Sequence, residues 1–166
     1  MSKPKVKRGS RGYRPNVGVA LFNTDGRVFM GRRVNSPPPY CWQMPQGGID
    51  GKEVPLAAAR RELYEETGVR SIEYLGEIPG WIAYDFPEDF RGSKAARGFK
   101  GQRQRWFAFR FTGNDSEVDL EAHGEVEFCE WRWMLLEETP HHIVPFKRDV
   151  YAEVIAAFGH YSTPLR

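Results

Sequence analysis

The chain predicts an α/β layered (α+β) domain. Three observations lead there. Short apolar runs rich in β-branched and aromatic residues recur along its length. Two segments, one central and one C-terminal, carry helical periodicity. The 166 residues suffice for one domain with a substantial core, and no internal repeat divides them.

Each element follows from its residues. Positions 1–11 are basic and read as a flexible arm ahead of the domain. Asn16–Phe22 (NVGVALF) is apolar and β-rich, a first strand. Asn23-Thr-Asp-Gly26 makes a turn, and Arg27–Arg33 returns as the second arm of a hairpin. Asn35-Ser-Pro-Pro-Pro39 is a loop, because proline cannot donate to a sheet ladder. Trp42-Gln-Met44 is a short strand that leads into a glycine-rich loop. A helix is expected from about Val54 to Thr67, then strands at Ile72–Ile78 and Trp81–Phe86. Pro87–Gln102 reads as a polar, basic loop, too long for a simple connector. Gln104–Phe111 alternates as a strand, and Phe128–Trp133 is another. A last helix opens at Pro145-Phe-Lys-Arg148 and runs to about Phe158, with Val150, Val154 and Phe158 on one face. One domain therefore spans 12–160, followed by a tail at 161–166.

The central helix holds the densest chemistry. Gly47, Gly48 and Gly51 precede it, Pro55 suits its first turn, and Gly68 stands where a helix stops. Leu56, Ala59 and Leu63 form an apolar stripe. Glu62, Glu65 and Glu66 lie at i, i+3 and i+4, so three like charges share one face and repel. A hard divalent cation with oxygen ligands offsets that repulsion, and carboxylate-held Mg²⁺ commonly meets phosphates.

Gly47, Glu53, Arg61, Glu62, Leu63, Glu65, Glu66, Gly68 and Val69 fill every specified position of the Nudix box, G-x5-E-x7-R-E-U-x-E-E-x-G-U, with U a bulky apolar residue. The chain therefore resembles the Nudix hydrolases. The resemblance implies the Nudix fold, a mixed β-sheet sandwiched between helices (α/β/α), with the box as a loop-helix-loop. It also implies metal-assisted attack of water on a nucleoside diphosphate linked to another moiety. Further segments are similar to one branch: Gly12-Tyr-Arg-Pro-Asn-Val-Gly18, Trp42-Gln-Met-Pro-Gln-Gly-Gly48, Gly101-Gln-Arg-Gln-Arg-Trp-Phe107 and Phe146-Lys-Arg-Asp-Val-Tyr151. They resemble both the bacterial RNA pyrophosphohydrolases and the plant-type asymmetric dinucleoside tetraphosphate hydrolases. Tyr84-Asp-Phe-Pro87 and Ser36-Pro-Pro-Pro39 lean toward the second group.

The resemblance also implies roles. Glu62, Glu65 and Glu66 are metal ligands, assisted by a backbone carbonyl at Gln46 or Gly47. Glu127 resembles a distant glutamate that completes the metal cage or assists proton transfer. The carboxylate that takes the proton is one of Glu62, Glu66 and Glu127. Arg61 pairs with Glu53 and fixes the loop. Arg14, Arg33 and Lys147 resemble phosphate contacts, Tyr84 and Phe146 surfaces that hold a base, and Gln102 and Gln104 neighbours of the phosphate chain. The cofactor implied is Mg²⁺, with Mn²⁺ or another divalent cation as a substitute.

Composition narrows the setting. Net charge is +2, hydrophobic content 40% and charged content 28%, ordinary for a globular protein. No apolar run reaches membrane-span length, and the basic N-terminus has no apolar segment behind it to make a secretory signal. Cys41 and Cys129 have no metal-site spacing and read as reduced core residues, with the cytoplasm as the default location. The four histidines receive no role. Two stretches are basic without acids: Lys3, Lys5, Lys7, Arg8, Arg11 and Arg14, then Arg91, Lys94, Arg97, Lys100, Arg103, Arg105 and Arg110. Such stretches attract phosphates. The expected activity is Mg²⁺-dependent removal of pyrophosphate from 5′-triphosphorylated RNA ends, together with cleavage of dinucleoside polyphosphates, by a protein expected to be monomeric. A dedicated diadenosine tetraphosphate hydrolase giving ATP and AMP is the alternative, and a non-catalytic nucleotide- or RNA-binding module is a third reading.

Overall fold

The computed structural model describes residues 12–165. The expected basic arm, 1–11, lies outside the described residues. Among these, eight strands form one mixed sheet: β1 (Tyr13–Phe22), β2 (Val28–Arg33), β3 (Trp42–Gln43), β4 (Gln46–Gly48), β5 (Ile72–Glu77), β6 (Ile82–Asp85), β7 (Gly101–Phe111) and β8 (Phe128–Met134). Three α-helices join them: α1 (Pro55–Thr67), α2 (Glu88–Arg91) and α3 (Arg148–Phe158). The main strand order is β3-β2-β1-β7-β5, with β4 on β1, β6 on β7 and β8 on β2. Among the described residues only β1 and β7 pair in parallel, in register from Tyr13 opposite Gly101 to Phe22 opposite Arg110.

Burial on both faces explains the continuous apolar run of β1. Val17, Val19 and Leu21 pack with Phe107 and Phe109 of β7 against Ala58, Ala59 and Leu63 of α1. Ala20 and Phe22 pack with Trp106 and Ala108 against Val150, Tyr151, Val154 and Phe158 of α3. The sheet is thus covered by α1 on one face and α3 on the other, the sandwich that the resemblance implies. Helix α1 stops at Gly68, whose φ of +75° suits glycine and whose N–H donates to the Tyr64 carbonyl at 2.7 Å.

Several expected boundaries shift. The 87–102 segment is not one loop: α2 forms a single turn inside it, and β7 begins at Gly101, recruited by the parallel ladder to β1 and by β6. The C-terminal helix is preceded by a 3₁₀ turn at Pro145–Lys147. Cys41 is buried but Cys129 is exposed, because Cys129 sits on β8 one position beyond inward-facing Phe128. No helix among the described residues is long and apolar enough to cross a membrane.

Candidate active site

The strands β1, β4 and β7 bring their ends to the C-terminal half of α1. There they open a cavity of about 510 Å³ lined by Arg14, Asn16, Gln46, Gly47, Gly48, Glu62, Glu65, Glu66, Gln102, His123, Gly124, Glu125 and Glu127. The pairing of β4 with β1, Gln46 opposite Gly18 and Gly48 opposite Asn16, lays the glycine loop along the cavity floor. A Cβ at Gly47 would stand 2.0 Å from the Glu62 carboxyl carbon, so a side chain there would push that carboxylate aside.

Arg61 organises one side. Its Nε and Nη2 donate to the two oxygens of Glu53, each at 2.9 Å, a fork-to-fork pair. Nη2 also donates to the Gly48 carbonyl at 2.9 Å, which ties loop to helix. Nη1 donates to Glu62 Oε1 at 2.9 Å and Glu65 Oε2 at 3.2 Å, and Asp50 approaches to 3.4 Å. The Arg61 hydrogen bonds hold the Glu53 carboxyl below its ordinary range.

Glu66, on the same helix, is treated differently. It is 7% exposed, and its one hydrogen bond comes from the Gln46 N–H at 3.3 Å. Burial, then repulsion from Glu127 and Glu62, push its carboxyl well above the usual range. Burial also raises Glu62, against the pull of Arg61. Glu127 approaches Arg33 Nε at 3.9 Å.

Behind the cavity, Lys147 is buried and donates from Nζ to Gln43 Oε1 at 2.9 Å and to Gln46 Oε1 at 3.2 Å. Burial, then the charge of Arg33, lower it to about 7. Gln104 donates from Nε2 to Asn16 Oδ1 at 2.8 Å and to Gln46 Oε1 at 3.3 Å, and accepts from Trp106. The Tyr84 hydroxyl is joined to Gln102 Oε1, while its ring meets Phe86 and Phe146.

Of the residues singled out in the sequence, Arg14, Gln46, Gly47, Glu62, Glu65, Glu66, Gln102 and Glu127 line this cavity. Glu53 and Arg61 brace its loop. Arg33, Tyr84, Gln104, Phe146 and Lys147 do not line it: Arg33 meets Glu127, Tyr84 meets Gln102, Gln104 and Lys147 meet Gln46, and Phe146 lies one contact further back, against Tyr84. Asn16, His123 and Glu125 line it without having been singled out. His123 Nε2 lies 3.9 Å from Glu65 Oε1. The acidic run Glu117, Asp119, Glu121, Glu125 and Glu127 was the available signal, although nothing local aims it at α1.

The donor set suits a hard cation: carboxylates dominate, and buried Glu66 forms no ion pair with a described residue. Among the described residues, no three His, Cys, Asp or Glu side chains already converge on a single ion position. Glu62 and Glu65 are instead turned to Arg61.

The NUDIX domain family model matches residues 12–154. An RNA pyrophosphohydrolase of Caulobacter vibrioides is 60% identical over 147 residues, covering 88% of this chain and 86% of the relative. One from Acidiphilium cryptum is 50% identical over 152 residues, covering 90% and 92%. Among solved structures, the E. coli dihydroneopterin triphosphate pyrophosphohydrolase matches with a TM-score of 0.64 at 16% identity, over 89% of this chain and 99% of its own, a likeness of fold alone. These matches make the chain a hydrolase acting on phosphoanhydride bonds. It belongs to the NUDIX domain family.

Proposed function

We propose that this hydrolase removes pyrophosphate from 5′-triphosphorylated RNA ends, as a cytoplasmic monomer using Mg²⁺ or Mn²⁺. The observation that carries this reading is the cavity itself. It sets Glu62, Glu65, Glu66 and Glu127 against Arg14 in a space of about 510 Å³. The names of relatives 47–60% identical over most of the chain support the substrate.

Glu62, Glu65, Glu66 and Glu127, with a backbone carbonyl at Gln46 or Gly47, would hold the cation. A bound divalent cation neutralises the phosphate chain and lowers the pKa of a coordinated water. The protein's own groups do the rest. Arg14 grips the phosphate chain, and Lys147 and Arg33 add positive charge from behind the wall, where low dielectric strengthens it. One of Glu62, Glu66 and Glu127 accepts the proton of the attacking water. Water adds to phosphorus, the anhydride bond breaks, and pyrophosphate leaves with the released electron pair, so the RNA ends in a 5′-monophosphate.

A dinucleoside polyphosphate presents the same anhydride chain and is the second reading, supported by Tyr84-Asp-Phe-Pro87. One comparison separates them: kcat/KM on triphosphorylated RNA with an unpaired end and on diadenosine tetraphosphate, at matched Mg²⁺. The RNA substrate is expected to be preferred, with all turnover lost in chelator. A preference for the dinucleotide above about a hundredfold, roughly 2.7 kcal/mol, overturns the RNA reading.

A further inference from the structure

The catalytic cavity is the first of three in a row. Arg14 also lines a second space of about 410 Å³, walled by Pro15, Ile49, Phe99 and Arg97 together with Asp50 and Gly51. Arg97 in turn lines a third, of about 220 Å³, with Arg91, Ser93 and Lys94. One arginine therefore joins the first cavity to the second, and another joins the second to the third. The sign of the charge changes along the way. Past Arg14, the one acid among the lining residues is Asp50, which already approaches Arg61 at 3.4 Å.

The backbone is shaped to make this junction. Arg97 holds φ at +53°, a region costly for a residue with a Cβ, and Gly98 follows at +81°. Observed strain of this kind points to function. Arg14 is lowered from the ordinary arginine range by burial and then by the charge of Arg97, against the pull of Glu62 and Asp50.

We propose that these two cavities grip the RNA chain behind its 5′ end. A base rests on Pro15, Ile49 and Phe99 in the second cavity, and the phosphodiesters that follow lie against Arg14, Arg97 and Lys94. Apolar walls interleaved with cations are how single-stranded nucleic acid is held without base pairing. A nucleotide or dinucleoside polyphosphate offers no further phosphodiesters to fill the third cavity, so its charge serves a longer chain. The proposal rests on the RNA reading of the catalytic cavity and extends it to the body of the substrate.

The test uses triphosphorylated RNA of two and of eight nucleotides, with kcat/KM measured across a salt series. The parent protein is expected to favour the longer RNA at least threefold. K94Q/R97Q is expected to lose fivefold or more on the eight-mer and less than twofold on the two-mer. Its log–log salt slope on the eight-mer should fall by about 0.7 for each phosphate contact removed. Lys94 is exposed, so K94E alone serves if the double variant folds poorly, and the same length-dependent loss is expected. Equal loss on both lengths, or no loss on either, overturns the track and leaves the catalytic reading standing. Turnover of neither RNA by the parent protein overturns both.

Discussion

Two charged networks meet on one turn of α1, and they are built on opposite principles. Around Arg61, a single guanidinium serves Glu53, Glu62, Glu65 and Asp50 at 2.9 to 3.4 Å, in a partly wetted setting. One residue beyond Glu65, Glu66 is buried with one backbone N–H and repelling carboxylates for company. The first network is nearly complete without a ligand, and its product is a fixed loop. The second is left short of positive charge, at a cost in stability, and under the proposed function that shortage is what would draw in a cation and a phosphate chain. The acids of this region thus differ in how far the fold supplies their counter-charge: Glu53 is a brace, Glu62 and Glu65 divide between Arg61 and the cavity, and Glu66 is left to the cavity.

The sharpest way to break this comparison is Glu66→Gln. Gln is isosteric and still accepts from the Gln46 N–H, so the chelated protein should keep its Tm or gain slightly. Turnover of triphosphorylated RNA should fall about a thousandfold, within the range for removing a group that moves a proton or orients the reacting atoms. Loss of stability with activity largely kept would place Glu66 among the braces.

The part of the site written on and beside α1 was the legible one, and the reason is distance along the chain. Arg61 and Glu53 are eight residues apart, with glycines, proline and helix period all written locally, so loop, helix and stop could be read together with Glu62, Glu65 and Glu66. The polar groups behind the cavity come from far away. Lys147 reaches Gln43 across 104 positions, and Gln104 reaches Asn16 across 88. No local pattern announces such pairs. Resemblance placed Lys147 and Gln104 near phosphate, but only packing against α3 and β1 shows that they stand behind the wall. His123 stayed invisible for the same reason: its approach to Glu65 is made by a loop with no periodicity. The strand β1 was readable from its apolar, β-rich run, whereas the turn of α2 was not, because four residues carry too little pattern.

Arg61→Met sharpens the other half. It strands Glu53, Glu62 and Glu65, whose side chains are 15–27% exposed. Breaking a fully buried pair costs about 3–5 kcal/mol, and the residual exposure lowers the expectation to about 2–3 kcal/mol in urea unfolding. A double-mutant cycle with Glu53→Gln should return a coupling of about 1–2 kcal/mol. Zero coupling would mean that glycine and proline backbone preferences hold the loop and that Arg61 is only solvated charge.

Lys147 gives the smallest effect and the most direct reading of unmet charge. Its folded-state value of about 7 lies below the ordinary 10.5, because burial and Arg33 disfavour the ammonium. Between those two values the unfolded chain binds more protons than the folded one, so this residue makes stability rise with pH. The contribution is most unfavourable below about pH 7 and is progressively relieved above it. Lys147→Met removes the titration. Measured in chelator between pH 6 and 9, below the range where tyrosines ionise, the stability difference between Lys147→Met and the parent should shrink in the variant's disfavour by about 2 kcal/mol. Parallel pH profiles would mean that the ammonium stays charged throughout the range. Lys147 would then already be neutralising Glu66 and Glu127, and the cavity would be as complete without a ligand as the loop that Arg61 holds.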